Sequence, residues 1–283
     1  MTVAQLLEKG KSLLKENNIE NYANEARWIF EAFFECGREY LVFHSEDETE
    51  TEKTELYLEL IKQRASGVPV QYVIGSWDFY GETFSVGEGV LIPRPETEML
   101  VDFAVDYLKN KTNSVIVDLC SGTGFIGLSV AKTFPDSKVF LVEKSEKAFE
   151  YLKINLENFG CKNLTAINGD IFEGFESFGI PEPDLILSNP PYHADFSVAK
   201  AFIEDGYKGL VLGGKLMMVT KRLPWYRNKM TSVFGGVKVY ERDGYYVFVA
   251  EKRRRTERRP EKKKQELSKK LNRKYRGKRG KGM

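Results

Sequence analysis

Four short apolar runs between residues 115 and 192 end in polar residues that could do chemistry. The run VIVDL carries Asp118 next to its end and opens into Cys-Ser-Gly122-Thr-Gly124. Glycines at 122 and 124 would let the backbone turn tightly and approach a ligand with no Cβ in the way. No Gly-Lys-Ser/Thr follows, so the turn is not a P-loop that grips phosphate. A third glycine at 127 gives dinucleotide-like spacing, which alone selects no cofactor. The run KVFLVE ends in Glu143, a carboxylate able to accept both hydroxyls of a ribose, as NAD or S-adenosylmethionine (SAM) alike would require. The run LTAINGD ends in Asp170, placed to accept a hydrogen bond from an adenine amine. Each acid taken singly is equally a solvated strand end. Three in series make coincidence a poor explanation.

The fourth run, DLILSNPPY, selects the reaction. It ends in Asn189-Pro190-Pro191-Tyr192. A planar nitrogen, whether an amide or an exocyclic base amine, needs its two N–H groups held by acceptors. The Asn189 side-chain oxygen and the Pro190 carbonyl can accept them, and Tyr192 offers a ring face for stacking. The prolines restrict the backbone and hold the acceptors in place. As a turn alone, Asn-Pro-Pro is ordinary; after a fourth buried strand downstream of a Gly-x-Gly turn it is specific.

These runs need a frame. From Ser114 onward strands alternate with helices: VIVDL, a helix from the glycine turn, KVFLVE, SEKAFEYLKINLENFG as a helix, then LTAINGD and DLILSNPPY. A helix over 202–212, the strand KLMMVT and a hairpin turning at Asp243-Gly244 complete the series. The pattern predicts an α/β fold with a parallel, doubly wound Rossmann-like sheet and an antiparallel edge. Ahead of it, residues 1–75 read as helices, with Leu6, Leu7, Leu13 and Leu14 at helical spacing and Ala26, Ile29, Phe30, Phe33 and Phe34 repeating it. A third helix covers 55–64. Residues 67–75 break the pattern, WDFYGETFSV alternates like a hairpin around Gly81, and a helix resumes over 96–108. The expected organisation is a helical domain at 1–75, a hairpin and linker at 76–96, the α/β domain at 97–252 and a basic, disordered tail at 253–283.

Residues 114–192 resemble the class I SAM-dependent methyltransferases that act on planar nitrogens. The N-terminal third narrows the resemblance. EARWIF and IKQRASGVPVQYVIGSWDFYGETFSVGEGVLIPRPETEMLVDFA are similar to the protein-(glutamine-N5) methyltransferases of the HemK/PrmC type, over about residues 5–192. These methylate the glutamine of the Gly-Gly-Gln loop in peptide chain release factors. The resemblance implies SAM as cofactor and release factors as partners. It places Arg94 to Glu96 at the cofactor, and Asp118, Gly122 and Gly124 at its methionine portion. Glu143 falls to the ribose, Asp170 to the adenine, and Asn189, Pro190, Pro191 and Tyr192 to the target amide, with Asn189 bordering the cofactor as well. Residues 1–75 would help dock the release factor.

The sequence also departs from that family. After NPPY the family's longer acidic, glycine-rich stretch is missing. The segment through VFVAEK is more similar to small-domain ribosomal RNA guanine-N2 methyltransferases, His193, Trp225 and Tyr226 included. Two alternatives therefore stand beside the first reading: a ribosomal or transfer RNA base methyltransferase, and a ribosome-associated RNA-binding protein without activity.

Composition bounds the rest. No apolar run reaches 18 residues, so no membrane span is expected. The three cysteines, Cys36, Cys120 and Cys161, lack CxxC spacing, and His44 and His193 stand apart; a reducing cytoplasm is expected and a metal site is not. The net charge of +2 conceals an asymmetry. Residues 251–283 carry net +13, the remainder net −11. Such a tail suits RNA or a ribosomal surface, or serves only as a solvated end.

Overall fold

The computed structural model describes residues 1–170, 174–191 and 196–254. Tyr192, His193 and the basic tail from residue 255 onward lie outside the described residues. Residues 1–252 form one compact unit.

The N-terminal region contains five helices: α1 (Val3–Glu16), α2 (Tyr22–Phe33), α3 (Arg38–Phe43), α4 (Thr51–Ala65) and α5 (Val70–Ile74). The three helices expected from periodicity are α1, α2 and α4. The two short ones, of six and five residues, are too brief for a helical repeat to declare itself. Thr2 opens α1 with a capping box, exchanging hydrogen bonds with Gln5. Leu6, Leu14, Ile29, Phe30, Tyr57 and Ile61 form the regional core. Tyr57 is wholly buried and donates to the Ala26 carbonyl at 3.1 Å, lying where a side chain at Gly10 would otherwise stand.

The hairpin β1 (Ser76–Phe79) and β2 (Glu82–Ser85) follows, turning at Tyr80 and Gly81, both at positive φ, as predicted. Then come α6 (Pro95–Leu108), β3 (Val115–Leu119), α7 (Phe125–Thr133), β4 (Lys138–Glu143), α8 (Glu146–Phe159), β5 (Leu164–Asn168) and β6 (Leu185–Ser188). The chain continues through α9 (Ser197–Gly209), β7 (Lys215–Thr220), α10 (Leu223–Phe234), β8 (Lys238–Arg242) and β9 (Tyr245–Glu251). The helix expected over 202–212 begins five residues earlier and ends at Gly209; Ala199, Ala201 and Phe202 lie on its buried side. The helix α10 is not evident in the sequence, because Pro224 and the polar residues 227–229 obscure its buried positions, Tyr226, Met230 and Phe234.

The seven-stranded sheet runs β5-β4-β3-β6-β7-β9-β8. Five strands are parallel, β9 is antiparallel to β7, and β8 closes the edge. Side-chain alternation sorts the core into two layers. Ile116, Leu187, Met217 and Val247 pack with α6, α7 and α8, whereas Val117, Ile186, Met218 and Phe248 pack with α9 and α10. The order reverses between β3 and β6, and a crevice opens there at the carboxyl ends of the strands. No helix among the described residues is long and apolar enough to cross a membrane.

Candidate active site

The strand ends named from the sequence converge at that crevice. Asp118 is completely buried in β3, facing α7, and its Oδ2 accepts the Gly127 N–H at 2.9 Å. Its Oδ1 is buried without a partner. Burial, with the nearby Glu143 charge adding to it, pushes the carboxyl up to about 8 despite the Gly127 bond. The turn beyond it has Cys120, Gly122 and Gly124 at φ +62°, +58° and +89°. The two later glycines differ. A Cβ at Gly122 would meet nothing within 4 Å, whereas one at Gly124 would collide with Leu152 and Leu128. Gly127 serves packing: a side chain there would strike Leu141 of β4.

Glu143 closes β4, 6% exposed, and supports the turn from the side. Its Oε2 accepts the Gly122 N–H at 2.8 Å and its Oε1 the Ser145 N–H at 2.7 Å. Each carboxylate oxygen retains acceptor capacity for a ligand. Asp170 lies two residues beyond β5 rather than at its end, and pairs with Lys144 at 2.8 Å. A cleft of about 450 Å³ lies between them, bounded by Glu143, Asp170 and Cys120 and walled by Val142, Val198 and Phe202. The Cys120 thiol is pushed up to about 12 by burial and by the two nearby carboxylates, so it stays protonated.

Opposite the glycine turn, β6 ends in Ser188, whose Oγ donates to the Leu119 carbonyl at 2.9 Å and ties the two strand ends together. Asn189 and Pro190 follow, both buried, while Pro191 is exposed and touches the cleft. Arg94 and Glu96 sit at the start of α6. Arg94 is exposed and donates to the Tyr245 hydroxyl at 3.3 Å; Glu96 buries Oε2 without a partner. Among the described residues, buried side-chain atoms without a partner occur at Glu96, Thr97, Asp118, Ser121 and Thr123. Native interiors pair nearly all such atoms, so their concentration in two segments marks groups disposed for a ligand.

Comparison with known proteins bears on what that ligand serves. The description "PrmC N-terminal domain" matches residues 5–75 and "Methyltransferase small domain" matches residues 97–249. A release factor glutamine methyltransferase of Clostridium acetobutylicum is 33% identical over 201 residues, 71% of this chain and 70% of that protein. This chain belongs to the release factor glutamine methyltransferase family. The Clostridium botulinum member is 30% identical over 196 residues, 68% of each chain. Among solved structures, a T. thermophilus 16S rRNA N2 methyltransferase (RsmC) with AdoMet and guanosine superposes with TM-score 0.56 at 25% identity. The match covers 63% of this chain and 50% of that one.

Of the residues named from the sequence, Glu143, Asp170 and Pro191 line the cleft, while Asp118, Gly122, Gly124, Asn189 and Pro190 lie on β3 or in the turns that follow β3 and β6. Arg94 and Glu96 stand at the head of α6, and Tyr192 lies outside the described residues. Two residues that tie these segments together escape sequence reading. Ser188 is hidden within an apolar strand. Asn155 leaves a visible signal, a polar residue in line with Ala148 and Leu152 on the buried stripe of α8. Trp225 packs flat on Phe196, their ring centroids 4.2 Å apart, with the Arg222 guanidinium 5.4 Å from the Phe196 ring.

Proposed function

We propose that this protein methylates the side-chain nitrogen, N5, of the Gly-Gly-Gln glutamine in peptide chain release factors, with SAM as methyl donor. One observation carries the reading most directly: a buried Asn189-Pro190 corner beside the cleft, in a chain of this family. Neither Pro190 nor Pro191 has a backbone N–H, so these two residues offer carbonyl acceptors only. That suits a carboxamide, which brings two N–H donors, and disfavours a carboxylate, which brings none.

When bound, SAM supplies an electrophilic methyl group, and its transfer leaves S-adenosylhomocysteine. Asp118, Gly122 and Gly124 would hold the methionine portion, Glu143 the ribose and Asp170 the adenine, while Val198 and Phe202 offer an apolar wall. The unpaired Asp118 Oδ1 and the open space at Gly122 fit that assignment. The chain's main contribution is alignment. An amide nitrogen is a weak nucleophile because its lone pair is delocalised. Asn189 Oδ1 and the Pro190 carbonyl accept its N–H groups and stabilise the positive charge that develops as the N–C bond forms. Tyr192 would stack on the amide plane. The nitrogen's proton passes to solvent, so no strong general base is required.

The helical region at 1–75 docks the release factor, and the tail's net +13 over residues 251–283 supports contact with RNA or a ribosomal surface. A second reading, methylation of an RNA base, is favoured by the RsmC superposition and the Phe196–Trp225 stack. Incubation with methyl-labelled SAM and either purified release factor or ribosomal RNA separates the two. Label in the release-factor glutamine supports the proposal; label confined to RNA overturns it.

A further inference from the structure

Buried positions of α8 fall at Ala148, Leu152 and Asn155, so an asparagine occupies a place in the apolar stripe. Burying an amide is costly unless its polar atoms find partners. Here they do, although Asn155 has no exposed surface. Its Oδ1 accepts the Ser85 N–H at 2.7 Å, and its Nδ2 donates to the Ser85 carbonyl at 3.2 Å and the Thr123 carbonyl at 2.9 Å. Ser85 is the last residue of β2, and Thr123 lies between Gly122 and Gly124. One side chain therefore joins the hairpin to the middle of the glycine turn.

The Thr123–Gly124 peptide is consequently held at both ends. Asn155 takes its carbonyl, and its N–H donates to the Ser121 carbonyl at 2.8 Å. Leu152, on the same face of α8, fills the space a Gly124 side chain would need. A turn with three residues at positive φ can relax in several ways once such a restraint is lifted. We infer that Asn155 is a positioning residue: it sets the Thr123–Gly124 peptide plane of the cofactor turn and registers that turn against the hairpin. This rests on reading the turn as the SAM cradle.

A matched control exists elsewhere in the fold. Asn163 also donates from Nδ2 to two carbonyls, Ala131 and Phe134, both at 3.1 Å, but these lie at the carboxyl end of α7, away from the glycine turn. Full-length Asn155→Ala and Asn163→Ala are compared by thermal melting, by SAM titration calorimetry and by steady-state methyl transfer with SAM varied. Asn155→Ala should raise Kd and KM for SAM about tenfold, the scale of removing one buried hydrogen bond, with kcat kept within about twofold. Asn163→Ala should melt earlier with SAM affinity unchanged. Should Asn155→Ala fail to fold, Asn155→Ser, which keeps one donor, carries the same comparison with a smaller shift. Unchanged SAM affinity at position 155, or equal losses at both positions, overturns the inference. Failure of the cradle reading shows differently, because Gly122→Ala, whose added methyl meets no protein atom, would then also leave SAM affinity unchanged.

Discussion

At the carboxyl end of β3 the backbone does the shaping: three residues at positive φ, in a turn held by Glu143 and Asn155. At the carboxyl end of β6, across the same crevice, the chain instead relies on covalent stiffness, two prolines behind one buried amide side chain. The first corner is held by hydrogen bonds and carries buried side-chain atoms without partners at Asp118, Ser121 and Thr123; the second is stiffened by two prolines, which offer carbonyl acceptors and no N–H. The contrast separates two kinds of work. Changes in the glycine turn should alter how tightly the methyl donor is held, and changes at the Asn-Pro-Pro corner should alter how fast the methyl moves.

The sharpest break of that division comes at Asn189. Asn189→Ala should lower kcat by about 10²-fold or more, by analogy with deletion of one oriented group at an oxyanion hole, while SAM affinity stays near that of the unsubstituted protein. Single-turnover methyl transfer and SAM calorimetry measure the two halves. A variant with normal turnover, or one that loses SAM as well, would dissolve the distinction between the corners.

Within the turn, the two glycines sharpen the comparison because only one has free space beside it. Gly124→Ala must adopt φ near +89° and push into Leu152 and Leu128, so the fold should lose about 2–4 kcal/mol in denaturant titrations. Gly122→Ala meets no protein atom and should cost only about 1–2 kcal/mol of backbone strain. Yet it points into the space assigned to the donor, so SAM should weaken roughly tenfold in the folded variant. If Gly122→Ala binds SAM normally, the cradle lies elsewhere.

Asp118 gives a smaller effect with a defined direction. Its carboxyl is raised from the usual 3.8 to about 8, so the folded chain favours the neutral form. The stability this group contributes is complete below about 4 and is lost as pH rises through about 8. Asp118→Asn keeps an oxygen to accept the Gly127 N–H without carrying a charge. Its melting temperature should therefore fall less between pH 6 and pH 9 than that of the unsubstituted protein, in scanning calorimetry across that range. Parallel profiles would mean that Asp118 stays ionised in the fold.

What the sequence makes legible follows from the same division. The strand ends at 118, 143 and 189 can be read because apolar runs stop at polar residues, and parallel strands put those stops on one edge of the sheet. The sharing of labour is not legible. Glu143 reads as a ligand for ribose, but its carboxylate also holds the Gly122 and Ser145 N–H groups; no spacing rule reveals which backbone N–H a carboxylate will meet. Asn155 is 32 residues from Thr123 and 70 from Ser85, a three-way junction that exists only once α8 has docked. Helices α3, α5 and α10 escape notice for a local reason, two being too short and one opening on proline.

The least effect is expected where the charge is greatest. The buried core extends to Ala250, and Lys252 closes the compact unit by donating from Nζ to the Lys208 and Leu210 carbonyls. Deleting residues 255–283 therefore removes no buried apolar side chain described in the fold, and melting temperature, SAM affinity and methylation of isolated release factor should all persist. The same deletion strips most of the net +13 from residues 251–283, leaving residues 1–254 at net −9, a body that repels polyanions. Binding to ribosomal RNA should then weaken, and its salt dependence flatten by about 0.7 in the log–log slope for each single-strand phosphate the tail no longer neutralises. Filter binding across a salt series, run beside the methylation assay, distinguishes the outcomes. Loss of release-factor methylation on truncation would place the tail within the catalytic unit, whereas unchanged RNA binding would leave its charge without a polyanion partner.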